Sequence, residues 1–425
     1  MPGFRRNLRT RRGVSVQIPS KVGKVLVVCS IIVIIISLIT LGIKNVQHKQ
    51  EIAKKQEQIN NIIYNLFVDE DYENVEMLDI EFPNKVINIV STGDILCEED
   101  LLEAAYNKET GTYEFLNMFS DVKQYVENAD ITLASLETNF VDGEKYSGRL
   151  KYNAPLTLLE ATKDLGIDII NTANNHSLDY GFKGIESTIN KIQEAGLENV
   201  GTYKTEEEST QILIKDIKGI KIAFLAYTYG ITSDEKNLQE APYALNLIQK
   251  EKIVADIQKS KEQGAEFTFV LMHWGDVDSS VQNNEQKELA DFLFENGADF
   301  ILGTHPASIQ PMEIRENSKG QNIFIAYSTG NFISSREYKN SNIEMILDIE
   351  ITKDSKTGET KLTKVTYTPV YLLDRGKNAE QRYKLLDIKK EIEQYENGNT
   401  ENISQDEYED LLQALIDIDK LIGKN

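Results

Sequence analysis

Histidine, cysteine, tryptophan and proline are scarce in this sequence, with 4, 2, 1 and 8 residues among 425. Two cysteines exclude a disulfide-stapled scaffold. Four histidines exclude a multi-histidine metal cluster unless nearly all of them converge. Basic side chains are outnumbered too, 46 against 68 acidic ones, for a net charge of −22. That balance excludes a general nucleic-acid binder, which needs cationic groups to displace counterions from phosphates. Phosphate cradles of the G-x-G-x-x-G or G-x-x-x-x-G-K-[ST] type are missing where a strand would meet a helix, and no G-x-S-x-G nucleophile elbow occurs. The length allows one large core or two smaller ones.

What is present is unevenly distributed. Residues 1–24 carry Arg5, Arg6, Arg9, Arg11, Arg12, Lys21 and Lys24 and no acidic residue. The next 19 residues, 25–43, read VLVVCSIIVIIISLITLGI without a charge. About 20 apolar residues match the hydrocarbon core of a bilayer, so this run is expected to be a single membrane span. A cleavable signal peptide is the rival reading, but its apolar stretch is usually shorter and no small-residue cleavage site follows. Cys29 follows Val28 near the start of the run, which does not suit a lipoprotein. Basic residues before the span predict a cytoplasmic N-terminus and an external remainder. Setting the seven basic residues aside leaves 39 basic against 68 acidic, an external part of −29 with one cysteine, Cys97. An anchored, disulfide-free external protein suits a Gram-positive cell surface.

Residues 44–85 are polar and helix-prone, with a partial apolar stripe of Ile52, Ile59, Ile62, Ile63 and Leu66, and are expected to form a stalk or linker. From 86 to 372 short β-branched runs alternate with stretches of helical period. The runs lie at 86–92, 131–136, 168–173, 221–227, 267–272, 299–303 and 322–328. Near-continuous apolar strands separated by helices predict an α/β domain with its strands buried on both faces. Residues 373–425 read as a C-terminal helical extension, a lid or brace, whose second helix opens with Ser404 and Glu407 at the spacing of a capping box.

The chemistry sits where the strands end. Successive runs lead into Gly93-Asp94, Glu137, Asn174-Asn175-His176, His273-Trp274-Gly275 and Thr304-His305-Pro306. Ligands of open α/β sheets bind beyond the carboxyl ends of the strands. His176, His273 and His305 are all the histidines of the external part, since His48 is juxtamembrane. Carboxylate, imidazole and amide-oxygen ligands suit a divalent ion such as Mn²⁺, Fe²⁺ or Zn²⁺. Such an ion turns bound water into a nucleophile and polarises a phosphoryl or carbonyl oxygen. Asp179, three residues after His176, can orient the imidazole or cap the helix expected at 182–195. Asn331 in Ser328-Thr329-Gly330-Asn331-Phe332 either lines the site or belongs to a strand-exit turn, and Trp274 is either a pocket wall or ordinary packing. Cys97 is expected to be a buried small hydrophobe.

The ordered set GDI at 93–95, SLET at 135–138, NNHSLDYG at 174–181, HWG at 273–275, GADFILGTHP at 297–306 and YSTGNF at 327–332 resembles the bacterial capsule-synthesis CapA family. This is the poly-γ-glutamate synthesis (PgsA) group, a branch of the calcineurin-like metallophosphatases, and the likeness covers about 86–335. The resemblance implies a metallophosphatase-like sandwich of two facing sheets flanked by helices, preceded here by the N-terminal transmembrane helix. It implies Asp94, Glu137, Asn175, His273 and His305 as metal ligands, with Glu137 in the bridging position. It implies His176 as general acid, to which Asp179 is joined as the orienting partner. Asn174, Trp274 and Asn331 are candidates for substrate contact. The sequence departs from the family in three places. The G-H-H-P-H element reads Gly303-Thr304-His305-Pro306-Ala307, the D-x-H start reads Asp94-Ile95-Leu96, and Glu98-Glu99 stands where a basic residue is frequent. With those ligands gone, a single well-held ion is expected.

Three functional readings follow. The first is a membrane-anchored external protein of capsule or poly-γ-glutamate-type polymer synthesis or export, with a metal-dependent domain. The second is a catalytically degenerate binding or scaffold subunit alongside the membrane subunits of a polymer synthase. The third is a stand-alone surface phosphoesterase. A domain of −29 repels a polyanion, so an anionic polymer would be met at a chain end, through the metal or through a local basic group.

Overall fold

A computed structural model of the chain describes residues 83–423, together with a short antiparallel pairing of Asn7–Arg9 with Ser15–Gln17. The expected span at 25–43 lies outside the described residues, as does the expected stalk at 44–85 apart from its last residues. Among the described residues no helix is long and apolar enough to cross a membrane.

The chain builds half of one sheet, then the whole of a second, and then returns to complete the first. Strands β1 (Lys85–Ile95), β2 (Ile131–Leu136), β3 (Ile169–Asn171) and β4 (Glu198–Val200) run parallel. Strands β5 (Leu213–Ile217), β6 (Ile220–Thr228), β7 (Phe267–His273), β8 (Phe300–Thr304), β9 (Met312–Glu316) and β10 (Asn322–Ala326) form the second sheet. Its order is β5-β6-β7-β8-β10-β9, parallel through β6, β7, β8 and β10 and antiparallel at both edges. The chain then re-enters the first sheet with β11 (Asn331–Ile333) beside the end of β1. Antiparallel strands β12 (Ile343–Lys353), β13 (Thr360–Asp374) and β14 (Tyr383–Asp387) follow on the far side of β1.

Strict alternation along these strands makes three cores. Ile87 and Ile89 of β1, Leu133 of β2, and Met345, Leu347 and Ile349 of β12 share one cluster with Phe224, Phe269, Phe300 and Phe324 of the second sheet. The two sheets therefore pack face to face, as the resemblance implies. The four phenylalanines are direct cross-strand partners, Phe224↔Phe269↔Phe300↔Phe324, with ring centroids 4.6–5.4 Å apart. Each such ring contributes roughly 1.5–3 kcal/mol by leaving water, and the ladder holds β6, β7, β8 and β10 in register. The residues between them point outward. Val90, Ala134 and Leu136 pack under helices α1 (Glu99–Ala105) and α2 (Leu156–Leu165). Helix α3 (Gly181–Glu194) instead sends Ile185 and Ile189 into the inter-sheet core. Leu225, Val270 and Ile301 pack under α4 (Lys250–Glu262) and α5 (Asn284–Glu295), the latter opened by an Asn283–Gln286 capping box.

The C-terminal segment differs from the extension expected at 373–425. It begins inside β13, contributes β14 to the first sheet, and closes the inter-sheet core with helices α6 (Ile388–Glu396) and α7 (Gln405–Leu421). Ile388, Ile392, Leu411, Ala414 and Ile418 belong to that core, so the segment is built into the fold. The Ser404–Glu407 capping box is formed.

Candidate metal centre

Parallel strands of both sheets deliver their carboxyl ends to one place. The side chain of His273, last residue of β7, continues the inward series Phe267, Phe269 and Leu271, so alternation aims it between the sheets. It meets Glu137, which follows β2 in the other sheet, with Nε2 3.2 Å from Glu137 Oε1. The same Nε2 lies 2.7 Å from Asn175 Oδ1, just beyond β3. His305, one residue past β8, completes a trio in which ligand atoms of Glu137, His273 and His305 lie within 4.8 Å of one another, all buried. Asp94 is tied to the trio because its Oδ2 accepts the backbone N–H of His305 at 2.9 Å.

Backbone shape places these groups as much as strand direction does. His305 has φ 99° and Ala307 φ 58°, left-handed values that a residue with a Cβ avoids and that cost roughly 1–3 kcal/mol each. The turn after β8 is held there by its neighbours: Trp274 N–H donates to Thr304 O, Asp278 N–H to Pro306 O, and Thr329 N–H to Gly303 O. Gly303 lets β8 approach the exit of β10 so closely that a Cβ would fall 1.9 Å from Tyr327 O. Gly93 does the same for β1, where a Cβ would meet Gly330 O at 2.3 Å.

Burial dominates the electrostatics of the site. Burial, then the Asp94 carboxylate, pushes Glu137 well above the usual carboxylate range, and burial raises Asp94 to about 7. Burial, then His305 and His176, holds His273 well below the normal imidazole range, and burial with Arg336 lowers His305 to about 4. Both imidazoles are thus neutral ligands at pH 7. His273 Nδ1 lies 3.0 Å from Thr304 Oγ1. With the ring proton on that side, the Nε2 lone pair faces Asn175 Oδ1 and Glu137 Oε1, three acceptors that a cation reconciles. Asp94 Oδ1, Glu137 Oε2 and His305 Nδ1 are buried and have no hydrogen-bond partner among the described residues. Unpaired buried groups of this kind are costly, and their donor set of carboxylate oxygen, amide oxygen and neutral nitrogen fits a divalent metal ion.

His176 stands beside this group. Its Nδ1 lies 3.0 Å from Asp179 Oδ2, which also accepts Tyr152 N–H at 2.9 Å. Helix α3 begins after Tyr180 with no side-chain cap, so Asp179 orients the imidazole and does not cap the helix. Asn174 is turned inward as a backbone clamp: Nδ2 donates to Leu136 O at 2.6 Å and Oδ1 accepts His176 N–H at 2.9 Å. It thus shapes the 174–176 turn instead of facing a substrate. Trp274 packs away from the centre in the core under α4 and α5, its Nε1 donating to Tyr327 O at 2.9 Å. Asn331 pairs with Asp94 across β11 and β1, and its Nδ2 is buried without a partner. Cys97 is a buried free thiol, pushed well above its usual range by burial and then by Glu98 and Glu99.

Several residues at the centre carry no motif signal. Arg336 forms an ion pair with Glu98, Nε to Oε1 at 3.1 Å, and donates through Nη2 to Tyr152 Oη at 3.1 Å. The sequence shows Glu98 as a departure from the family, and the tertiary structure supplies a cation to it from 238 residues downstream. The Tyr152 ring meets His176 edge-on, with centroids 4.5 Å apart. Tyr229, half exposed, lies over His305 at 4.8 Å and stacks with His273 at 6.2 Å. Glu344 is fully buried with neither carboxyl oxygen paired, and burial, then Asp94, pushes it well above the usual carboxylate range.

Comparison with known proteins gives this arrangement its family. Residues 88–336 match the family model described as bacterial capsule synthesis protein PGA_cap, and the chain belongs to that family. It is 26% identical over 258 residues to the capsule biosynthesis protein CapA of Bacillus anthracis, covering 59% of this chain and 60% of that protein. It is also 26% identical over 208 residues to the PGA biosynthesis protein CapA of Bacillus subtilis (strain 168), covering 49% and 53%. The chain thus spans some three-fifths or less of the length of these relatives. Among solved structures, the calcineurin-like phosphoesterase YfkN from Bacillus subtilis is similar with a TM-score of 0.41 and 14% identity, covering 68% of this chain and 91% of that one. A phosphatase from Mycoplasma pneumoniae gives a TM-score of 0.41 and 15% identity over 68% and 95%.

Proposed function

We propose, with membership of the bacterial capsule synthesis family as the premise, that this chain is a membrane-anchored external protein of capsule or poly-γ-glutamate-type polymer synthesis or export. Its domain acts as a metal-dependent, metallophosphatase-like hydrolase on an anionic polymer end or a phosphoester. The observation that carries this reading is the buried convergence of Glu137, His273 and His305 beside Asp94, with oxygen and nitrogen lone pairs left unpaired. Residues 25–43 anchor it, and the membrane subunits of a polymer synthase are the partners the family suggests.

Glu137, His273 and His305 would hold the ion, with Asp94 and Asn175 at its side. A divalent metal bound by these residues would supply an activated water and polarisation of the oxygen under attack. The remaining roles belong to the chain itself. With its Nδ1–H donating to Asp179 Oδ2, the His176 ring is fixed, and in its protonated form it would give the Nε2 proton to the leaving oxygen and recover one from water. Tyr152 supports the ring from its edge and Tyr229 shields the histidines from bulk water. Removing water in this way strengthens each charge interaction inside the site.

Metal analysis and phosphodiester hydrolysis by the purified full chain test the reading. About one Mn, Fe or Zn per chain is expected, lost in Asp94→Ala. His176→Ala is expected to keep the metal and lose hydrolysis. A chain without metal, whose Asp94→Ala variant leaves surface polymer unchanged, would overturn the enzymatic reading and leave a scaffold role.

A further inference from the structure

We propose that Arg336 is an anion-binding residue at the mouth of the centre, its Nη1 edge receiving an oxygen of a phosphate or carboxylate group beside Glu137, His273 and His305. This rests on the hydrolase reading above and names the class of group the site accepts.

The guanidinium is fixed from two sides while one edge stays open. Nε faces Glu98, Nη2 faces Tyr152 Oη, and among the described residues Nη1 has no hydrogen-bond partner. Its side chain is 17% exposed, so the guanidinium sits in a largely enclosed position that still meets solvent. Glu98 does more than neutralise it. The same carboxylate accepts Ser334 Oγ–H at 2.8 Å and Ser335 N–H at 2.8 Å, clamping the segment that leads into Arg336. A cation held this way gives up little side-chain freedom on binding an anion, which is where preorganised sites gain affinity.

Its location is equally specific. The guanidinium lies 5.9 Å from the Tyr152 ring centroid, and the same ring touches His176 at 4.5 Å. One aromatic ring therefore separates the cation from the residue assigned the proton transfer. Arg336 is also the cation whose charge acts on Asp94, Glu137, His273 and His305 alike. An external part of net charge −29 repels anions at long range, so a substrate oxyanion needs a local positive partner. Arginine suits that task because its planar fork stays charged and matches oxyanion geometry.

The test is calorimetric binding of inorganic phosphate, and separately of γ-glutamyl-glutamate, to the full chain loaded with Mn²⁺. Arg336→Gln should weaken whichever anion binds by tenfold or more, Arg336→Lys should weaken it less, and Mn²⁺ affinity should hold or rise once a nearby positive charge is gone. Thermal melting of both variants near the wild-type temperature separates lost binding from lost fold. Phosphate preference assigns a phosphoester group, and dipeptide preference assigns a polymer carboxylate. Equal anion binding by wild type and Arg336→Gln overturns the proposal, as does Mn²⁺ binding by the wild type without either anion. If Mn²⁺, Fe²⁺ and Zn²⁺ all fail to bind, the hydrolase reading falls, and the same comparison in the metal-free chain decides the role of Arg336 alone.

Discussion

At the scale of single residues, the centre is a balance between burial and charge. Burial raises Asp94 to about 7 and pushes Glu137 well above the usual carboxylate range, while it lowers His305 to about 4 and His273 well below the normal imidazole range. A metal needs the carboxylates ionised and the imidazoles neutral. The sign is therefore set by the carboxylates: Asp94 takes up its proton as pH falls through about 7, whereas burial displaces protonation of the histidines downward. Metal affinity should drop about tenfold per pH unit for each proton displaced below pH 7, and proton release should accompany binding at pH 6. Titrating Mn²⁺ binding between pH 5.5 and 8 in two buffers of different ionisation enthalpy measures both. Asp94→Asn should flatten part of that slope. Most of these residues were legible as a strand-end pattern, because each follows an apolar run directly. Arg336 and Tyr152 were not, since nothing near them in sequence marks them; Tyr229 does follow β6, but an aromatic there reads as ordinary packing until its contacts with His273 and His305 are seen.

At the scale of elements, the strand runs were readable because alternation buries both faces. Phe267, Phe269 and Leu271 in β7 and Ile222, Phe224 and Ala226 in β6, for example, face inward at every second position. The antiparallel hairpin β12–β13 was harder to read, because β13 alternates exposed and half-buried residues over much of its length. Two substitutions separate elements that aim the site from those that only hold the fold. Gly303→Ala forces a Cβ against Tyr327 O. It should cost about 1–3 kcal/mol by overpacking and lower Mn²⁺ affinity, although Gly303 binds no metal, because His305 lies two residues further on. Ser404→Ala removes the cap of α7 and should cost about 1 kcal/mol with Mn²⁺ affinity unchanged. Denaturant melts and metal titrations of both variants check the contrast. Equal metal affinity in the two would mean that the approach of β8 to the exit of β10 does not aim His305.

At the scale of the whole molecule, the asymmetry of charge makes a prediction about topology. Seven basic residues precede the charge-free run 25–43, and the proposed membrane span there carries with it an N-terminus on the inside. Protease added to intact cells should digest the region 83–423 and spare a tag on the N-terminus, and the reverse pattern would invert the proposed orientation. Sequence alone determined the alternating strands, the charge-free run at 25–43, the scarcity that leaves three histidines after residue 48, and their positions at strand ends. These follow from local rules of burial, strand period and charge that act within a few residues. Only the tertiary structure decided that two sheets face each other so that Glu137 of one meets His273 of the other, that Trp274 turns away, and that the C-terminal helices belong to the core. It also decided that Arg336 stands against Glu98. Such outcomes depend on which strands become neighbours and how closely glycines let them approach, and no local pattern encodes a contact between residues more than a hundred positions apart.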